Sequence, residues 1–125
     1  MSTLVTSNIS DGTTSVGTGY VVNGSAKVWC SFNGQGTPAI GNSLNVSSLT
    51  DNGVGHYRVN FTSNMSSSSY SASSLSNHEG GVTTECFMAT TDWFASSLDV
   101  LAERPNLSGR YDPNPATMTV NGDLA

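Results

Sequence analysis

The chain has 125 residues, a net charge of −5, 36% hydrophobic residues and only 10% charged residues. A chain of this length forms a single domain with one modest core. Nucleic acids and anionic membranes are bound by clustered basic side chains, whereas the basic residues here are few and scattered: Lys27, Arg58, Arg104 and Arg110. We therefore expect neither a nucleic acid nor a membrane as a partner.

Uncharged polar residues take the place of the missing charges, because Ser, Thr, Asn and Gly make up nearly half of the chain. This composition is typical of β-strands with uncharged polar faces that are joined by many turns. Such faces are buried between subunits at a lower cost than charged faces. The composition therefore favours a homo-oligomer over a monomer with a hydroxyl-rich surface.

Residues 1–22 are weakly patterned and residues 23–125 carry the strand patterns, which predicts an N-terminal arm followed by a β-rich body. The arm is either a frayed terminus or an extended segment that packs on a partner. In the second case we expect it to be anchored by its first large apolar residues, which are Leu4, Val5 and Ile9. The opening residues lack the basic and apolar regions of a signal peptide, which predicts assembly in the cytoplasm.

A period-two alternation of apolar and polar residues predicts a strand from Ser25 to Phe32. Val28 and Phe32 point to the core, and Trp29 points away from it. An exposed aromatic residue on a sheet is suited to contact a neighbouring subunit or a sugar. We therefore predict Trp29 as a subunit or ligand contact.

The next segment predicts two further extended stretches around a turn. The first, Ile40 to Leu49, places Leu44 and Val46 on one face, and we assign Val46 to the core. Asp51-Asn52-Gly53 then predicts a tight turn, because Asn-Gly tolerates positive φ. The stretch from Gly55 to Phe61 alternates again, and its inward side chains are Tyr57, Val59 and Phe61. Its outward side chains include two more predicted subunit or ligand contacts, His56 and Arg58.

The second half of the chain carries weaker patterns. A serine-rich stretch, Ser66 to Ser74, is a linker by composition or a strand by the spacing of Tyr70 and Ala72. The remaining predicted elements are strands over Thr84–Ala89, Trp93–Leu101 and Ala116–Val120 and a loop over Pro105–Pro115. The strand over Trp93–Leu101 would place Phe94, Ser96, Leu98 and Val100 on one face. The alternative for this region is a helix over Asp92–Arg104. About seven short strands predict an all-β fold, a compact antiparallel β-sandwich or partial barrel with a short extended N-terminal arm.

The chain shows no strong catalytic or metal-binding motif. Serine is abundant, but the Gly-x-Ser-x-Gly motif of a nucleophilic serine does not occur. A metal site would need four residues to converge, namely His56, His78, Glu79 and Glu85, and nothing in their spacing requires this. Cys30 and Cys86 lie on apolar faces of predicted strands, so free thiols are favoured over a disulfide. We predict a protein that is not an enzyme and that uses no cofactor or metal.

Three runs of residues carry a resemblance to a known family. They are Asn23-Gly-Ser-Ala-Lys-Val-Trp-Cys-Ser-Phe-Asn-Gly-Gln-Gly-Thr, the stretch from Ile40 to Phe61 with its Leu-Thr-Asp-Asn-Gly-Val-Gly-His-Tyr-Arg-Val-Asn-Phe, and the closing Asn-Gly-Asp-Leu-Ala. Together they resemble short proteins and fibre-terminal domains of tailed bacteriophages, notably those of cyanobacteria and other marine bacteria. Members of this family are usually described as tail-fibre-like or virion structural proteins.

The resemblance implies a β-rich homotrimer in the virion, on the capsid surface or the tail, assembled in the host cytoplasm and without catalytic residues. One placement is a cement or head-spike protein that decorates the capsid and binds the major capsid protein. The other is a short tail fibre or receptor-binding protein that attaches to a tail protein and contacts a host surface glycan. The short arm and the lack of a long shaft-forming repeat favour capsid decoration.

Overall fold

The computed structural model describes residues 1–77, 87–104 and 109–125. These residues form eleven strands and one short helix. In chain order the elements are β1 (Asn8–Ser10), β2 (Ser15–Gly17), α1 (Thr18–Gly24), β3 (Ala26–Asn33), β4 (Ala39–Leu44), β5 (Val46–Asp51), β6 (His56–Phe61), β7 (Ser71–Ser76), β8 (Phe87–Phe94), β9 (Ser97–Arg104), β10 (Gly109–Arg110) and β11 (Ala116–Asn121). The predicted all-β fold is confirmed.

Two antiparallel sheets build the body. Sheet I has the strand order β4-β3-β11-β7. Sheet II contains β5, β6 and β9 in that order, and β9 also pairs with β8 and β10. The inner faces of the two sheets pack on each other, as a β-sandwich requires, and the described strands do not close into a barrel.

The core lies between the two inner faces. Burial alternates residue by residue along β3, β6 and β11, because successive side chains of a strand point to opposite faces of the sheet. The rings of Phe32 and Tyr57 meet edge to face across the sandwich, with 5.2 Å between their centroids. The core also buries Val28, Val59 and Phe61, while the half-buried Val46 packs against it.

The predicted extended stretch from Ile40 to Leu49 is two strands in two different sheets. β4 ends at Leu44, Asn45 adopts a left-handed φ of 57°, and β5 begins at Val46 in sheet II. The side-chain Nδ2 of Asn45 donates to the Ser63 carbonyl oxygen at 3.0 Å, and Oδ1 of the same side chain accepts from the Ser63 backbone amide at 2.7 Å. Leu44 and Val46 therefore do not share a face, since Leu44 is exposed and Val46 packs on the core.

The predicted single strand from Trp93 to Leu101 is a hairpin. β8 ends at Phe94, residues 95–96 form the turn, and β9 begins at Ser97. Phe94 is exposed whereas Leu98 is buried, so these two residues do not line one face as predicted. The helix alternative is wrong, because β8 and β9 pair through backbone hydrogen bonds over this region.

The serine-rich stretch contributes an edge strand to sheet I. β7 pairs with β11 over its whole length, and the buried Tyr70 just before it stacks on Trp93 with 5.1 Å between ring centroids. Strand β11 agrees with the prediction within one residue. Cys30 is a buried free thiol, and burial raises the pKa of that thiol to about 12. Several predictions fall outside the described residues, namely those on His78, Glu79, Glu85, Cys86 and the 105–108 part of the loop.

A buried polar contact closes one end of the sandwich. The Tyr57 hydroxyl lies 2.6 Å from Oδ1 of Asp112 and 3.0 Å from the Gly34 carbonyl oxygen. The Gly55 amide donates to the same Asp112 oxygen at 2.9 Å. Gly55 has a φ of +63°, and a Cβ there would stand 2.7 Å from the Ala102 carbonyl oxygen. Glycine is therefore required at this position.

Candidate functional site

Residues 1–24, called here the N-terminal unit, form a hairpin followed by a helix. β1 pairs with β2 so that Ile9 stands opposite Val16. The carboxylate of Asp11 closes the turn between them, because its Oδ1 accepts from the amides of Thr13 and Thr14 at 2.9 and 2.7 Å. The hydrogen bond from Thr14, and then that from Thr13, hold the pKa of Asp11 below its ordinary value.

The region predicted as an extended arm, residues 1–22, thus contains regular structure, and its predicted boundary falls inside α1. The helix was missed because its sequence, Thr-Gly-Tyr-Val-Val-Asn-Gly, is rich in glycine and β-branched residues, which are poor helix formers. The hairpin was missed because its strands are three residues each, too short for an alternation to be visible.

The apolar side chains of the N-terminal unit are left uncovered. The predicted anchoring residues Leu4, Val5 and Ile9 are 85%, 90% and 47% exposed. Val16, Tyr20, Val21 and Val22 are exposed as well, and no residue of the unit is buried. A shallow apolar cleft of about 560 Å³ lies against α1 and is lined by Gly17, Gly19, Tyr20, Asn23 and Gly24.

Polar contacts tie the C-terminal end of α1 to the body. The Asn121 side-chain amide donates to the Gly24 carbonyl oxygen at 2.9 Å. The Lys27 ammonium donates to the carbonyl oxygens of Val22 and Ser25. A cation is favourable at this place because the carbonyl oxygens at the end of a helix carry partial negative charge.

The outer face of sheet II carries a paired set of charges. Asp99 on β9 stands directly opposite Arg58 on β6. Arg58 donates from Nε to Oδ1 of Asp99 at 2.5 Å and from Nη2 to Oδ2 at 2.9 Å, and His56 Nε2 lies 3.3 Å from Oδ2. The Arg58 guanidinium also lies over the Phe94 ring, 4.9 Å from its centroid.

This arrangement covers the Asp99 carboxylate, which is only 2% exposed. Burial alone would raise the pKa of Asp99, but the hydrogen bonds from Arg58 and then from His56 outweigh it and leave the pKa below its ordinary value. Both carboxylate oxygens are therefore occupied, and the cluster is satisfied within the chain. Sequence reasoning found His56 and Arg58 but missed their partner, because a cross-strand pair depends on the register of β6 against β9.

The outer face of sheet I is different in character. Two rows of side chains cross its four strands, and the first row is Leu44, Trp29, Thr119 and Ser73. The second row is Asn42, Ser31, Thr117 and Leu75. We call these eight residues the uncharged face. Trp29 therefore lies on the other side of the sandwich from His56 and Arg58, and the three predicted contact residues do not form one site.

Among the described residues, no three His, Cys, Asp or Glu side chains are grouped closely enough to hold a metal ion. The single helix described has seven residues, far fewer than a membrane span requires. Comparisons with family models, with curated proteins and with solved structures found no match to this chain.

Proposed function

We propose that this chain is a non-enzymatic structural protein of a bacteriophage virion, a homotrimer that decorates the capsid as a cement or head-spike protein. In this proposal the N-terminal unit docks on the major capsid protein and the β-sandwich projects from the particle. The resemblance of residues 23–61 to short virion proteins supports a place in the virion. The exposed apolar surface of the N-terminal unit supports its docking on another protein.

The observation that carries the proposal is the contrast between the unit and the body. The body closes around its own core, whereas the unit buries no residue and exposes Leu4, Val5, Ile9 and Tyr20. A two-stranded hairpin is marginally stable in water, and so is a helix of seven residues. Such a segment gains its stability from contact with a partner, and exposed apolar patches are typical of partner surfaces.

The charge of the N-terminal unit indicates what kind of partner surface it fits. Asp11 is its single charged side chain, and Oδ1 of that carboxylate accepts from the turn amides of Thr13 and Thr14. The unit therefore offers a partner one carboxylate, at the turn of the hairpin, and otherwise only apolar and uncharged polar side chains. An apolar groove on a capsid subunit fits this surface, and its burial would supply about 25 cal/mol for each Å² removed from water.

The proposal is tested with particles assembled without this protein. Deleting Met1 to Gly12 should abolish binding of the purified protein to these particles and leave the sandwich folded, as judged by circular dichroism. The double variant Leu4→Ser and Val5→Ser should weaken binding, because it removes apolar contact area. Val54→Ser is the matched control, since Val54 is 60% exposed in the body and lies outside the unit. Unchanged binding after the deletion would contradict the docking role.

A second candidate function is a short tail fibre or receptor-binding protein that contacts a host surface glycan. The observation that favours it is the uncharged face, where Trp29 lies among Ser31, Thr117 and Thr119. Aromatic rings and hydroxyl groups are the side chains that sugars contact. In this case the purified protein should compete with phage adsorption, and Trp29→Ala should lose the competition. Absence of binding to host cells would exclude this function, and release of reducing ends from a polysaccharide would contradict both proposals.

A further inference from the structure

The uncharged face differs in its chemistry from the outer face of sheet II, which carries Arg58, His56 and Asp99. Its eight side chains contain no charge, although the whole chain has a net charge of −5. The nearest charge along β3 is that of Lys27, and carbonyl oxygens of Val22 and Ser25 already bind this ammonium. Copies of an acidic protein repel one another wherever charged surfaces meet. This face is one where copies can approach without burying or opposing charges.

The apolar residues of the face are spaced across the whole width of sheet I. Trp29 lies on the inner strand β3 and is half-buried. Leu44 lies on the end strand β4 and is 47% exposed, and Leu75 lies on the opposite end strand β7 and is 74% exposed. Contact surfaces between subunits are depleted of charge and enriched in tryptophan at their centre. The arrangement of these three residues matches that composition.

The two leucines lie at opposite edges of sheet I, as a contact between two different edges in a ring of subunits requires. In a ring of three subunits each contact joins two different surfaces, so that one edge of a sheet meets the opposite edge of the next copy. A flat sheet that faces a threefold axis brings its inner strands close to the axis and its end strands close to the neighbours. Trp29 is then near the axis, and the exposed Leu44 of one copy is near the exposed Leu75 of the next.

We propose that the uncharged face is the contact between copies of this chain, with three copies of sheet I arranged around a threefold axis and β4 of each copy beside β7 of the next. This inference rests on the proposed function, in which the protein is a homotrimer, and it assigns the surface that forms the trimer.

Sedimentation of the purified full chain at micromolar concentration tests the assignment. The natural protein should sediment with three times the mass of one chain. Leu75→Glu and Leu44→Glu should each reduce that mass to one chain, because each buries three carboxylates at the contact. Val54→Glu is the matched control, an exposed hydrophobic residue changed to glutamate outside sheet I, and it should stay trimeric. A cooperative thermal unfolding transition of the dissociated glutamate variants would show that they still fold, at a lower midpoint than that of the trimer.

A cross-linking experiment tests the predicted neighbours directly. The double variant Leu44→Cys and Leu75→Cys should form covalent trimers when oxidised with copper phenanthroline, and reduction should reverse them. Either single variant should give no covalent trimer. Failure of the double variant to cross-link would overturn the arrangement of β4 beside β7.

The remaining outcomes are also decisive. A natural protein that sediments as a monomer or a dimer would overturn the threefold arrangement, and so would dissociation of the control as readily as of the leucine variants. A change of Trp29 fluorescence on adding a neutral oligosaccharide to a monomer would make the face a sugar-binding surface instead. Removal of Met1 to Gly12 should leave the trimer intact. A stable trimer that does not bind particles would therefore contradict the capsid role and leave the present inference standing.

Discussion

The N-terminal unit and the body are built from similar residues but reach opposite results. β1 and β2 pair Ile9 with Val16, as β3 and β11 pair Val28 with Val120, yet the first pair is exposed and the second is buried. The difference is the presence of a second layer. Sheet II covers the inner face of sheet I, whereas Ile9 and Val16 of the hairpin stay 47% and 40% exposed. Two paired strands therefore form a stable element only where another surface packs on them and excludes water.

The largest change in the free energy of unfolding is expected when a core residue of the body is substituted, and an apolar residue of the unit gives the comparison. Phe32→Ala removes a ring that packs on Tyr57, and we expect it to lower the free energy of unfolding by about 3–5 kcal/mol. Leu4→Ala should change that free energy by less than about 0.5 kcal/mol, because Leu4 is exposed. Urea unfolding of both variants measures the difference. Equal effects would show that the unit packs on the body in solution.

A smaller effect compares two glycines with left-handed backbone. Gly55→Ala adds a Cβ that collides with the Ala102 and Tyr111 carbonyl oxygens, so we expect a loss of about 2 kcal/mol or more. Gly12→Ala is the control in the unit, where φ is +96° and no atom lies within 4 Å of the added Cβ. That change strains the hairpin turn alone. The global unfolding midpoint should therefore fall for Gly55→Ala and stay constant for Gly12→Ala.

The smallest effect is a dependence on pH. The folded-state pKa of Asp99 lies below its ordinary value of 3.8, so its ion pair stabilises the fold above that pH and the stability is lost as the pH falls through the folded pKa. Asp99→Asn should flatten the loss of stability below pH 3.8. Asp11→Asn should not change it, because Asp11 acts within the exposed hairpin. Unfolding midpoints measured between about pH 5 and pH 2 would check both variants.

The sequence pattern predicted the inner strands well because each has a buried and an exposed face. Tyr57, Val59 and Phe61 alternate with His56 and Arg58, and the structure reproduces this alternation along β6. The pattern failed where strands change sheets or turn back. Asn45 turns the chain from sheet I to sheet II, and residues 95–96 join β8 to β9, but alternation continues across both places. A local period contains no information about which sheet a strand joins.

The candidate contact residues show the same limit. Sequence reasoning placed Trp29, His56 and Arg58 on outward faces, and each of them is on an outer face of the sandwich. Their partners depend on register, however. Arg58 meets Asp99, which is 41 residues away in the chain, and Trp29 lies between Leu44 and Thr119. No property of the separate segments reveals these neighbours.

The sequence by itself thus determined that the chain is all-β, which side chains of its inner strands point to the core, and that its surface has little charge. These features follow from composition and from the period of a strand, which are local. Tertiary structure alone decided that one outer face carries a self-satisfied ion pair and that two rows of uncharged side chains cross the other. It also decided that the first 24 residues keep their apolar side chains outside the core. Pairing register and burial depend on residues far apart in the chain, and this is the physical reason for the division.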